Sequence, residues 1–249
     1  MIVDALVYAG DSLYGDGRTL AELLGEARGA GLDYLVAAPA KPRDYDLAAA
    51  SERLADECSE SSDRAVCLAR LDPWQEDAPD RLARLLEHPA VRGLLLHPWE
   101  ETFRANHERA LALAVLAAAH GRPVIVEAGH PLVAEALSLA DLARRVEGTV
   151  VMTRGGQVNM AGLAQQSADL ALDAAPNLCA LSAGMYRQDW LEGCVRRHGA
   201  ERLLFGSCAP VFDIGYEAER VRRAHMADDE RAAVIGGNAV ALFGLSTEE

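Results

Sequence analysis

A chain of 249 residues, half of them hydrophobic, is long enough for one large α/β domain with a sizeable core. Its formal net charge of −14 and pI near 4.9 argue against nucleic acid or an anionic membrane surface as partner, because both reward clustered Lys and Arg. No apolar stretch approaches the roughly 18 residues of a membrane span and no basic segment precedes the first apolar run, so neither a span nor a signal peptide is expected.

Apolar runs of strand length recur along the chain: IVDALVY (2–8), DYLVAAP (33–39), AVCLARL (65–71), VRGLLLH (91–97), PVIVEAG (123–129), TVVMTR (149–154), LCALSA (178–183) and RLLFGS (202–207). They are continuously apolar rather than alternating, as strands are when helices cover one face and a packed interior the other. Between them apolar residues recur at three and four spacing, as in Leu20, Leu23, Leu24 and Ala27, or Leu111, Leu113, Leu116 and Ala117. Thr19 is placed to cap the first helix, and Gly31 and Gly121 stand where helices should end. Near the C-terminus a closing helix pair is expected, with Asp228 capping its second member. Eight β-α repeats with short connections predict a (β/α)8 TIM barrel over residues 1–249, with an open doubly wound sheet as the alternative.

Five cysteines, Cys58, Cys67, Cys179, Cys194 and Cys208, form no C-x-x-C pair and no short Cys/His ligand spacing. They read as reduced, mostly buried thiols of a cytoplasmic protein. Lys41 is the chain's single lysine and follows a strand run directly.

Several segments resemble the amidohydrolase-related family, the metal-dependent hydrolases and decarboxylases of the amidohydrolase 2 type. MIVDALVYAG (1–10) is similar to that family's apolar-apolar-D-x-H-x-H opening, VRGLLLHPWEETF (91–103) to its fourth-strand segment, and GRPVIVEAGHP (121–131) to its fifth. VVMTRGG (150–156), PNLCALSAG (176–184) and ERLLFGSCAPVFD (201–213) follow the sixth, seventh and eighth, and DERAAVIGGNAVALFGL (229–245) the closing helix. The resemblance spans nearly the whole chain in barrel order. It implies a metal held by first-, fifth- and sixth-strand histidines and an eighth-strand aspartate, yet the matching residues here are Leu6, Tyr8, Glu127, Thr153 and Cys208. Leu6 can ligate nothing, and two good ligand types, Glu127 and Cys208, fall short of the three or more of a catalytic zinc site. The expectation is a barrel without the family's metal site and without another cofactor, although a Glu127, His97 and Cys208 set remains an alternative. Similar barrels often form homodimers, and that expectation carries over.

In such barrels the reactive groups gather at the C-terminal ends of the strands. There the sequence supplies Asp4, Tyr8, Lys41, Arg70, His97, Glu127, His130, Arg154, Ser182, Cys208 and Asp213. Glu127 is a candidate acid or base, or the partner of an Arg154 that fills the space of a lost metal. The planar fork of Arg154, beside two glycines, suits a carboxylate or phosphate. His97 is a candidate proton carrier and Tyr8 either a proton donor or a plug. Cys208 is a candidate nucleophile only if its pKa is lowered, and is otherwise a small replacement for aspartate. Lys41, His130 and Ser182 complete a candidate binding set for a small anionic substrate. The expected function is metal-independent acid/base chemistry of the lyase, isomerase or cyclase type. The alternatives are a non-catalytic binding or partner subunit and a hydrolase with an unusual metal.

Overall fold

The computed structural model describes residues 1–61, 64–156, 164–185 and 187–246. Eight parallel strands, β1 (Val3–Ala9), β2 (Tyr34–Pro39), β3 (Ala65–Arg70), β4 (Val91–Leu96), β5 (Val124–Val126), β6 (Val150–Met152), β7 (Leu178–Leu181) and β8 (Leu203–Leu204), pair in sequence order. Helices run between them: α1 (Leu20–Gly29), α2 (Leu47–Glu60), α3 (Ala78–Glu87), α4 (Glu108–Ala119), α5 (Ala136–Arg144), α6 (Ala164–Ala174) and α7 (Gln188–His198). Sequential order throughout is that of the (β/α)8 barrel and rules out the doubly wound alternative, whose strand order reverses at a switch point.

The ring closes through residues 205–209 rather than through the two-residue β8. Ala5 N–H donates to Phe205 O, Cys208 N–H to Leu6 O and Tyr8 N–H to Ala209 O at 2.7–3.0 Å, and Val7 forms a parallel bridge with Ala209. Regular pairing ends there because Cys208 adopts a left-handed φ of 54° and Pro210 offers no N–H. This irregular seam brings both ends of the ring to the mouth.

Two apolar clusters hold the fold. One lies between the sheet and its helices and includes Leu23, Leu82, Leu113, Leu139 and Leu191. The other fills the barrel with Leu6, Leu68, Leu95, Ile125, Val151 and Leu204. The β1–β2 register shifts between Asp4 and Val7, and Ala5 and Leu6 both fall in the interior cluster. After α8 (Ile214–Arg222), α9 (Asp228–Ala232) runs through a π-helical turn at Ala233–Gly237 into α10 (Asn238–Phe243). Phe243, Ala239 and Leu245 join the interior cluster with Val3 and Tyr34 of the strand beginnings, so α10 closes the end opposite the mouth.

Thr19 caps α1 in a reciprocal box with Glu22, and Gly31 and Gly121 follow helix ends at φ +73° and +66° as expected. Asp228 is not a cap. Ala227 holds that position, and the N-terminal N–H it leaves is taken up by Glu230, which accepts from Ala227 N–H. Asp213, expected among the mouth residues, instead caps α8 by accepting from Tyr216 N–H at 2.7 Å. No helix among the described residues is long and apolar enough to cross a membrane.

Candidate functional site

Among the described residues, the four non-glycine residues with positive φ, Tyr45, Thr102, Arg154 and Cys208, lie beyond strand C-termini. Backbone strain of this kind costs about 1–3 kcal/mol per residue and persists where surrounding structure enforces it. It singles out the mouth. There a cavity of about 160 Å³, roughly ten times the space a single water needs, is lined by Tyr8, Lys41, Arg70, His97, Glu127 and Arg154, with Ser12, Tyr14, Asp16, Trp99 and Glu100 on the loops above.

Glu127 begins where β5 stops, so its side chain leaves the ladder and enters the cleft. One carboxylate oxygen accepts from Arg154 Nε at 2.9 Å and the other from the Tyr8 hydroxyl at 2.9 Å. A carboxylate has about four lone-pair positions, which leaves room for a further partner. Arg154 follows β6 and is held with Gly155 and Gly156 in a left-handed turn. Its side chain is 35% exposed, its guanidinium lies 5.5 Å from the Phe212 ring centroid, and among the described residues Nε is its one hydrogen-bonding atom. Burial works against the Arg154 charge, and Glu127 more than offsets it. Tyr8 is kept protonated: burial, and then the Glu127 charge, push its hydroxyl well above the usual phenol range.

His97 directly follows β4 and is 8% exposed. Burial first, and then the positive charges of Arg70, Arg154 and Lys41, hold it neutral, far below the ordinary imidazole range. Its Nδ1 accepts from Glu100 N–H at 3.3 Å, so Nε2 carries the proton. The nearest ionic group to that Nε2 is a Glu100 oxygen at 3.8 Å, beyond hydrogen-bonding range.

A second network lies across the cleft. Arg70, whose side chain is 1% exposed, donates to Pro39 O at 3.1 Å, to Glu101 at 2.8 Å and to Glu100. Lys41 donates to Glu100 O and lies 3.4 Å from Glu101. Lys41 therefore departs from the exposed loop position that Pro42 and Arg43 suggest, since its side chain is 11% exposed. Burial raises the Glu101 carboxyl despite Arg70 and Lys41.

The structure thus brings together Tyr8, His97, Glu127, Arg154 and Lys41. His130 stands at the rim with its ring stacked on Trp99 at 3.9 Å. Cys208 and Ser182 are fully buried and line no part of the cleft. Burial, then Glu127, pushes the Cys208 thiol well above its usual range, which keeps it protonated. Ser182 Oγ accepts from Gly206 N–H at 3.4 Å. Sequence reasoning missed Glu100, Glu101, Trp99, Tyr14, Ser12 and Asp16. The signal available was position, since HPWEE directly follows a strand and such segments form a barrel's mouth.

The family model described as amidohydrolase matches residues 17–245. The chain belongs to the amidohydrolase family. No curated protein matches it. Among solved structures, an amidohydrolase from Burkholderia multivorans with bound HEPES is 16% identical at a TM-score of 0.78, covering 99% of this chain and 100% of that one. The 2,6-dihydroxybenzoate decarboxylase from Rhizobium is 17% identical, with a TM-score of 0.74 and 98% of each chain covered. A dihydroxybenzoic acid decarboxylase from a Polaromonas species, with bound manganese and the inhibitor 2-nitroresorcinol, is 14% identical at 0.75, covering 98% of this chain and 97% of that one. At these identities the likeness is one of fold. Among the described residues of this amidohydrolase-family chain, no group of three or more His, Cys, Asp and Glu side chains is placed to hold a metal ion.

Proposed function

We propose that this amidohydrolase-family barrel binds a small carboxylated molecule at its mouth and moves a proton on it without a metal, in a lyase or isomerase type of reaction. The observation that carries the reading is the Tyr8, Glu127 and Arg154 triad, in which a side-chain cation, hydrogen-bonded to Glu127 at 2.9 Å, supplies the positive charge at the strand ends.

The residues at the family's ligand positions do not fit a divalent ion. Leu6 is apolar and packed in the barrel interior. Thr153 Oγ1 is occupied by Ala128 N–H at 2.8 Å, and the Cys208 thiol is held protonated. His97 turns a protonated Nε2 to the cleft, which cannot ligate.

Each residue has a part that its environment supports. Arg154 keeps its two terminal amino groups for a substrate carboxylate, a charge-assisted contact. The Glu127 carboxylate takes a proton from a substrate carbon or hydroxyl and returns it. His97, neutral at working pH, donates Nε2–H to the oxygen on which negative charge develops. Tyr8 stays protonated, donates to the second Glu127 oxygen and fixes its orientation. That the decarboxylases similar in fold act on carboxylated rings supports a carboxylate as ligand. Free cysteines throughout the described chain support a cytoplasmic setting.

The test is solvent deuterium exchange into a panel of small carboxylic acids, followed by NMR in the presence of a chelator. Exchange or turnover of at least one acid is expected, with Glu127→Gln lowering its rate about 10²–10⁴-fold while the far-ultraviolet spectrum is unchanged. Activity that disappears with the chelator and returns with manganese or zinc contradicts the proposal. Carboxylates that bind through Arg154 but never exchange would mark the barrel as a binding protein, a reading the intact Glu127 and Arg154 pair also permits.

A further inference from the structure

The charges around the cleft do not balance. Arg70 is matched by Glu100 and Glu101, Lys41 by Glu101, and Arg154 by Glu127. Asp16 also lines the cleft and, among the described residues, has no cationic partner; its one side-chain contact is the Ser12 hydroxyl, which donates to Oδ1. With Glu101, which stands behind the lining, the carboxylates of this network (Asp16, Glu100, Glu101 and Glu127) outnumber its cations (Lys41, Arg70 and Arg154) by one, inside a chain whose net charge is −14. Such a field repels a simple anion and draws in positive charge.

Two aromatic side chains also line the cleft. Tyr14 and Trp99 are 63% and 58% exposed, Trp99 with one ring face stacked on His130. Aromatic faces next to a carboxylate are the surroundings that hold an ammonium group, through ring quadrupole and ion pair together. The opposite requirement comes from His97, more than nine-tenths buried and lining the cleft, whose protonated Nε2 has no hydrogen-bond acceptor among the described residues. With the spare amino groups of Arg154 it calls for a carboxylate.

Resting on the carboxylate reading above, we infer that the ligand is an amino acid in the broad sense: a carboxylate held by Arg154 and His97, joined to an ammonium group that meets Asp16, Tyr14 and Trp99. A net-neutral zwitterion satisfies both ends of the cleft and is not repelled by the chain's overall charge. Asp16 and Trp99 then decide specificity, and Glu127 remains the group that moves the proton.

Matched probe pairs test this on the full chain by calorimetry and saturation-transfer NMR: 4-aminobutyrate against butyrate, and 4-(aminomethyl)benzoate against 4-methylbenzoate. In at least one pair the amine-bearing member is expected to bind on the order of tenfold more tightly, the worth of one partly desolvated charge-assisted contact. Asp16→Asn should close the gap within that pair, and Arg154→Gln should weaken both members. Asp16 is exposed in a loop, so its variant is expected to fold, and Trp99→Leu provides a second route to the same loss. If the plain carboxylates bind equally well or better, with Arg154 still required, the zwitterion is refuted while the carboxylate reading stands. If no probe binds the wild-type chain, or binding ignores Arg154, both are refuted.

Discussion

Two arginine and glutamate groupings face each other across the mouth, and burial gives them opposite tasks. Arg70 is enclosed and committed to two carboxylates and a backbone carbonyl, and it ties together the segments that follow β2, β3 and β4. Arg154 makes one side-chain hydrogen bond among the described residues and is about one-third exposed. The same chemistry is a scaffold on one side and an open site on the other. A guanidinium enclosed with both terminal amino groups taken up by protein oxygens holds loops, whereas one with exposed, spare terminal donors can hold a ligand.

Replacement of the two arginines should separate these tasks most sharply. Arg70→Met leaves the buried Glu101 with Lys41 alone and the half-buried Glu100 without its cation, and should cost about 3–5 kcal/mol of stability, read from urea unfolding. Arg154→Met should cost less, about 1–3 kcal/mol, because the buried Glu127 carboxylate it leaves keeps the Tyr8 hydroxyl and faces the open cleft, while abolishing carboxylate binding. Equal losses of stability in the two variants would erase the distinction.

A smaller effect comes from a carboxyl below the mouth. Asp4 is fully buried, accepts from Ser207 N–H at 2.8 Å, and its Oδ2 has no hydrogen-bond partner among the described residues. Burial raises its pKa to about 7, against 3.8 when free. Between these values the folded chain holds a proton that the unfolded chain has released, so stability falls as pH rises from about 4 to 7 and is then level. Asp4→Asn removes this slope. The wild-type chain should lose a few kcal/mol relative to the variant between pH 4.5 and 7.5, measured by urea unfolding at both. A constant difference would mean that Asp4 is already ionised at the lower pH.

How much of this was legible differs between strand and loop. The eight apolar runs located every strand, because an apolar stretch flanked by helical periodicity has few other places to go. The runs overestimated β5, β6 and β8, which are three, three and two residues long, since the residues after them leave the ladder to serve the mouth. Glu127 and Arg154 were legible as a pair because adjacent strand ends must lie side by side. The Arg70, Glu100, Glu101 and Lys41 network was not, since it depends on how the loop after β4 folds back over β3. Asp213 and Asp228 were misread because an acidic residue at a helix start suits a cap, a first-turn position or a mouth equally well. Cys208 read as a possible nucleophile, yet its burial and left-handed backbone come from the seam that closes the ring, which no local pattern announces.

We propose that Arg154 supplies the positive charge at the mouth without a metal ion. The most direct test is elemental analysis of the purified protein, joined to calorimetric titration of the chelator-treated chain with zinc and manganese. The account predicts well under one metal ion per chain as purified and no stoichiometric uptake of either ion. One ion per chain, bound tightly and lost in Glu127→Gln, would contradict it.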